Sequence, residues 1–317
     1  MDILSNLING TFVFATALIF ASLGGVIGER TGVINLGLEG FMVSGAFSAA
    51  VATHYAETAG MGGASPWIGL ICAMVVTLIF SGIHALASIK FKANQVISGI
   101  VVNLLAASST FFMVKLLFDG AAETPIIDHV FHKWAIPGLS SIPFLGNAIF
   151  TAYPTTYIAL ILVAVVWFVM YKTPLGLRMR AVGEHPGAAD TAGVKVNRIR
   201  TYAVLVGGSI AALGGATIAL TAGSSFAQST ISGQGFIALA AVIFGKWNPV
   251  GAFGASLFFG FAQALKDQAQ IYEWAKSIPT EVFYMLPYLM TLLILLFAVG
   301  RSSGPSALGE PYDPGKR

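Results

Sequence analysis

The polar side chains able to do chemistry in this chain are few, and most lie inside apolar runs. Glu39 falls about six residues into one of them, roughly 9 Å along a helix at 1.5 Å per residue, with Asn35 one turn earlier on the same helical face. A carboxylate at membrane depth is costly and points to a cavity, a polar partner or a proton relay; the alternative is an interfacial acid paired with Arg30. Gln95, Ser98 and Asn103 on a later run, and Gln234 on another, supply donors and acceptors together. Phe41 and Phe236 add aromatic faces. This set suits reversible contact with a small polar solute, and it equally suits hydrogen bonds between helices, worth about 0.6 kcal/mol each.

Bond-making chemistry finds no such set. Cys72 is the only cysteine, and His129 and His132 form an H-x-x-H pair without a Cys or a third His nearby. No G-x-x-x-x-G-K-[ST] loop, G-x-S-x-G elbow or H-E-x-x-H helix occurs. The sequence therefore names no catalytic residue, no cofactor and no metal ligand.

The elements that must position these residues follow from composition. Of 317 residues, 56% are hydrophobic and 31 are charged, 17 basic and 14 acidic. A soluble domain carries about 25% charged residues, so a mean hydropathy of +0.79 excludes an ordinary soluble enzyme. Disorder requires the opposite balance, and a net charge of +3 is too small for a nucleic-acid binder. The N-terminus has no Lys or Arg before its first apolar stretch, unlike a cleaved signal peptide. The expected fold is a single all-α polytopic membrane domain over residues 1–317.

A hydrocarbon core about 30 Å thick takes roughly 20 helical residues. Nine segments qualify: approximately 9–28, 33–53, 67–88, 95–117, 153–171, 201–222, 233–245, 249–265 and 283–300. The seventh and eighth are short and separated by Lys246, Trp247, Asn248 and Pro249, which suggests tilted, broken or re-entrant helices. The count could fall to eight, or rise to ten if 136–150 dips into the membrane. Glycines such as Gly207, Gly208, Gly214 and Gly215 suit close helix packing. Lys and Arg favour the inner face. With the N-terminus outside and the C-terminus inside, only Lys115, Lys133, Lys266 and Lys276 of the 17 basic residues fall outside.

Two long connections remain. Residues 118–152, proline-punctuated by Pro125, Pro137 and Pro143, form the expected extracytoplasmic loop. Residues 172–200 form the expected cytoplasmic one, crowded with Lys172, Arg178, Arg180, Lys195, Arg198 and Arg200. Within it, Pro186 suits a first helical turn and Gly193 a left-handed cap, which predicts a two-turn helix over Pro186 to Ala192. Such a helix needs a docking partner to be stable; the alternative is a connecting helix at the headgroups, with the arginines as anchors.

Gly183, Glu184, Pro186, Ala188, Ala189 and Gly193, in the order G-E-x-P-x-A-A-x-x-x-G, resemble the coupling loop of ATP-binding-cassette (ABC) importer permeases. TGVINLGLEGFMVSGAF, NQVISGIVVNLLA, TPLGLRMRAVGEHPGAADTAGV and GQGFIALAAVIFGKWNPVGAF are together similar to the branched-chain amino acid and simple-sugar permease family, and within it to the nucleoside permeases. The resemblance spans nearly the whole chain. It implies a multi-pass subunit of a bacterial inner or plasma membrane, not an enzyme, that imports nucleosides or a related solute. ABC ATPase subunits, a second permease making a heterodimer, and a periplasmic or lipoprotein substrate-binding protein are the implied partners. It also implies that the Pro186 to Ala192 helix seats in the ATPase. Permeases for ribose-type sugars or amino acids, and a secondary transporter using Glu39, are the alternatives.

Overall fold

A computed structural model describes residues 2–269 except 139, 141 and 143, the isolated positions 278, 282, 285, 289 and 292, and residues 304–315. The chain is mostly helical. Helix α1 (Asp2–Glu29) leads through an irregular turn to α2 (Leu38–Thr58), followed by α3 (Ser65–Ala85), whose last turn widens over Leu86–Lys90, and α4 (Gln95–Leu117). Beyond a long loop come α6 (Pro154–Lys172), α7 (Pro174–Glu184), α8 (Pro186–Thr191), α9 (Val196–Ile218), α10 (Gln234–Phe244) and α11 (Pro249–Ala269), with the four-residue α5 (Leu145–Ala148) inside the loop.

Five of these helices, α1, α3, α4, α6 and α9 with its adjoining turns, are long and apolar enough to cross a membrane. The apolar segment at 283–300 lies outside the described residues. Residues 136–150 make no added span among the described residues: the short β1 (Trp134–Ala135) pairs antiparallel with β2 (Thr151–Ala152), and α5 is a single turn. Proline and polar residues there favour turns over a continuous helix.

Helices α1 and α9 form the centre, their apolar windows 72% and 78% buried, against 22% for α4. Small residues let the central helices meet backbone to backbone. A Cβ on Gly24 would run into the Gly207 carbonyl of α9, and one on Gly215 into the Met42 carbonyl of α2. Lipid offers apolar side chains as good a solvent as a neighbouring helix does, so close van der Waals packing is what distinguishes the buried faces. Ile71 and Ile79 of α3, Leu104 and Leu116 of α4 and Ile161 of α6 remain exposed on the periphery, where hydrocarbon would solvate them.

The two long connections lie at opposite ends of α1. Residues 118–153 pack where α1 begins and α2 ends: Asn9 Nδ2 donates to Asn147 O at 2.9 Å and Thr151 O at 2.7 Å, and Glu57 accepts from His129 N. The α7 and α8 segment packs where α1 ends, with Gly183 against the Arg30 carbonyl.

Candidate functional site

The inner connection folds into an elbow of two short helices. The Thr173 hydroxyl caps α7 by accepting from Gly176 N at 3.3 Å, and Pro174 fills the first turn, where no amide donor is needed. Pro186 opens α8 in the same way. Gly193, at φ +83°, closes it, its N–H donating to Asp190 O at 2.9 Å while Val194 N donates to Ala189 O at 3.0 Å. The observed α8 (Pro186–Thr191, with Ala192 as its cap) lies within a residue of the sequence expectation.

Ala189 turns inward onto Val182 and Val196, and this small cluster takes the place of a deeper core for so short a helix. His185, Gly187, Ala188, Thr191 and Ala192 are exposed. Between α7 and α8 runs a groove of 350 Å³ bordered by Leu177, Arg178, His185, Ala188 and Ala192. Small side chains on an exposed, capped helix offer shape for docking.

Gly183 and Glu184 face the bundle. A Cβ at Gly183 would strike the Arg30 carbonyl, so glycine is what allows α7 to close on the turn after α1. Glu184 lies 3.8 Å from Arg30 Nη1, and Arg30 Nε donates to Trp247 O at 2.7 Å. Arg200, which the alternative reading would place as a headgroup anchor, is 2% exposed, with Nε donating to Thr31 O at 3.0 Å and Nη1 to Glu310 O at 2.7 Å. The planar guanidinium satisfies backbone carbonyls in two directions that no hydropathy count sees.

The second group of expected residues surrounds the start of α2. That helix begins at Leu38, so Asn35 is not on its face, correcting the expected helical pairing with Glu39. Residues 34–36 stay irregular because side chains take over their backbone groups. Ile34 N donates to Gln95 Oε1 at 2.7 Å, Asn35 N to Glu29 Oε1 at 3.2 Å, and Asn103 Nδ2 to Leu36 O at 2.9 Å. Gly40 N donates in turn to Asn103 Oδ1 at 2.8 Å.

Glu39 does not pair with Arg30. Its Oε1 accepts from Gly233 N and its Oε2 from Gly235 N, both at 2.7 Å. These are among the free N–H groups at the start of α10, which the carboxylate caps from another helix; the charge also lies at the positive end of the helix dipole. Helix α10 is only 11 residues long, so a broken helix and the start of α2 meet at one carboxylate.

Ser98 Oγ lies 2.9 Å from His84 Nδ1, and His84 Nε2 lies 3.0 Å from Ile34 O; because the carbonyl can only accept, Nε2 carries a proton, and in the neutral ring Nδ1 accepts from Ser98. Phe41 is fully buried, edge-on to His84. Gln234 borders a small cavity of 50 Å³ with Val13, Ala17 and Thr221, and Phe236 is 50% exposed. Asn35 is fully buried, its side-chain amide without a partner among the described residues. Gln95, Ser98, Asn103 and Glu39 are thus brought together around one turn, and Gln234 and Phe236 lie on the helix that Glu39 caps.

Sequence reasoning missed Glu29, whose Oε2 accepts from Trp247 Nε1 at 2.6 Å while its Oε1 holds Asn35 N. It closes the last turn of the first span, where a lone acid reads as interfacial. The nearest signal was Trp247 in the short linker between two truncated spans.

A family model described as "Branched-chain amino acid transport system / permease component" matches residues 6–295. The chain is 47% identical to the guanosine ABC transporter permease protein NupQ of Bacillus subtilis (strain 168), covering 100% of this chain and 99% of that one. It is 38% identical to the nucleoside ABC transporter permease protein NupC of Lactococcus lactis subsp. cremoris (strain MG1363), covering 98% of each. It is also 28% identical to a second Bacillus subtilis (strain 168) protein, the guanosine ABC transporter permease protein NupP, over 88% of this chain and 78% of that one.

Proposed function

Because the chain belongs to the branched-chain amino acid transport system permease family, we propose that it forms the membrane pathway for nucleosides, guanosine among them, in an ATP-driven importer. It is an ABC transporter permease subunit, a multi-pass plasma-membrane component that works with separate ATPase subunits. The observation that carries the substrate reading is the 47% identity to a guanosine permease along the full length of both chains.

In this reading the N-terminus lies outside and the C-terminus inside, with nine spans. The elbow then faces the cytosol, α8 seats in an ATPase subunit, and Gly183, Glu184, Pro186, Ala188, Ala189 and Gly193 form the coupling element. Supporting it are the exposed small-residue surface of α8, its rigid caps, and the attachment of α7 to the turn after α1. Residues 118–152 face a substrate-binding protein. A second, non-identical permease completes the pathway, a reading supported by two guanosine permeases of one organism both being similar to this chain.

Asn35, Glu39, Phe41, Gln95, Ser98, Asn103, Gln234 and Phe236 form or shape the pathway, with Glu39 holding the broken helix α10 on α2. A pathway of this kind transports by rearranging around a weak site. A secondary transporter needs no ATPase-docking elbow, and both carboxylate oxygens of Glu39 are occupied by backbone N–H groups. The test is the ATPase rate of the reconstituted complex: guanosine delivered by the binding protein should raise it, and indifference to every nucleoside with stimulation by a sugar or amino acid would reassign the substrate.

A further inference from the structure

The segment after the last apolar run, residues 304–313, ties together the turns after α1, before α4 and between α10 and α11 with the end of α7. Gly304 packs against the indole of Trp247, in the turn between α10 and α11. Ser306 N and Oγ donate to Glu184 Oε2 at 3.2 and 2.9 Å, and Ala307 N donates to Gly183 O at 2.9 Å, so the segment grips the end of α7. Gly309 N then donates to Gly32 O at 3.0 Å, and the Glu310 carbonyl takes the buried Arg200 guanidinium that also holds Thr31. Lys92, in the turn before α4, closes the far end on Asp313 at 2.7 Å.

The fit is too close for a casual tail. Gly32, at φ +90°, lies where a Cβ would come within 2.7 Å of Arg200 Nη2 and 2.9 Å of the Ala307 carbonyl. Gly309, at φ +84°, leaves only 2.8 Å between a Cβ and Ile34. Ala307 is buried. The turn that this strap clasps, residues 30–37, is the one whose far end is the start of α2 and Glu39.

We propose that residues 304–313 are a coupling strap, which makes the ATPase-facing elbow and the Glu39-capped junction of α2 and α10 move as one piece. The proposal rests on the ATP-driven permease reading above. Movement of α8 passes through Gly183 and Glu184 to Ser306 and Ala307, then through Gly309 and Arg200 to residues 30–37. Without the strap the elbow keeps its own caps and its Arg30 contact, so it can still dock, while Gly32, Ile34 and the buried Arg200 lose their link to it and the elbow reaches the 30–37 turn through Arg30 alone. Packed elements with discrete arrangements carry such coupling.

The test uses the whole complex in proteoliposomes, comparing the wild-type chain with a chain ending at residue 303 and with Gly309→Val. The latter keeps the strap but removes its seat on Ile34. Three quantities are read: ATPase subunits retained on purification, ATP hydrolysed, and guanosine moved per ATP. The expected result is retained ATPase and hydrolysis, with guanosine per ATP reduced by about tenfold or more, within the usual range of coupling. Unchanged guanosine per ATP in both variants overturns the strap, as does loss of bound ATPase in step with transport, which would make the segment only a support for the elbow. If the wild-type complex itself moves no guanosine with ATP, the permease reading fails first, and that result is distinct from both.

Discussion

Glu39 and Gly235 are 196 residues apart in the chain, yet the carboxylate accepts the glycine N–H at 2.7 Å. A Cβ on Gly235 would overlap the Glu39 backbone, so the pair brings two helix starts into contact and then fastens them with charge. An acid that hydropathy marks as a possible proton carrier is therefore a cap.

Replacing Glu39 with Ala leaves two α10 donors without an acceptor, each at a cost of about 1–3 kcal/mol. Glu39→Gln keeps one carbonyl oxygen and should fall between the two. Thermal unfolding midpoints of the purified subunit in detergent should rank wild type, Gln, then Ala. Equal midpoints for all three would show that the cap does not hold the helices.

Trp247→Phe preserves the ring and removes the N–H that satisfies Glu29, a carboxylate only 3% exposed. Destabilisation of about 1–3 kcal/mol is expected. In a Glu29→Gln background the same change should cost less, since the two residues form one interaction. Additive losses would separate them.

The glycines divide by what surrounds them. Gly215→Ala drives a methyl into the Met42 carbonyl of α2 and should destabilise by about 1–3 kcal/mol through overpacking. Gly254→Ala, in α11 with open space around it, should be neutral or gain up to about 1 kcal/mol from helix propensity. The order of the two midpoints tests whether close approach, rather than glycine content, sets the packing.

At the elbow, Gly193→Ala must hold a φ of +83° and should weaken the α8 cap by about 1–2 kcal/mol. Gly193→Pro cannot reach that φ and also removes the donor to Asp190 O. Gly193→Pro, or deletion of Ala188 to Ala192, should abolish nucleoside-stimulated ATPase activity while the subunit still inserts into the membrane. Normal stimulation in either variant would remove α8 from the coupling role.

Much of this architecture was legible because its signals are local. Apolar runs of span length marked the long helices, the interruption at Lys246 to Pro249 marked α10 as short, and Pro186 with Gly193 marked α8 nearly to the residue. What was not legible depends on partners far away in the chain. Asn35 and Glu39 have helical spacing, but Gln95, Glu29 and Asn103 draw residues 34–36 out of the helix. Arg200 reads like its basic neighbours until the Thr31 and Glu310 carbonyls are brought to it. Polar satisfaction is a tertiary property, and periodicity carries no record of it.

The most direct measurement is uptake of labelled guanosine into proteoliposomes holding the complete complex and its binding protein, compared with vesicles holding this chain alone. The account predicts uptake that requires hydrolysable ATP and the ATPase subunits, and none by the chain alone. Uptake by the chain alone without ATP, driven by a proton gradient and lost in Glu39→Gln, would contradict it.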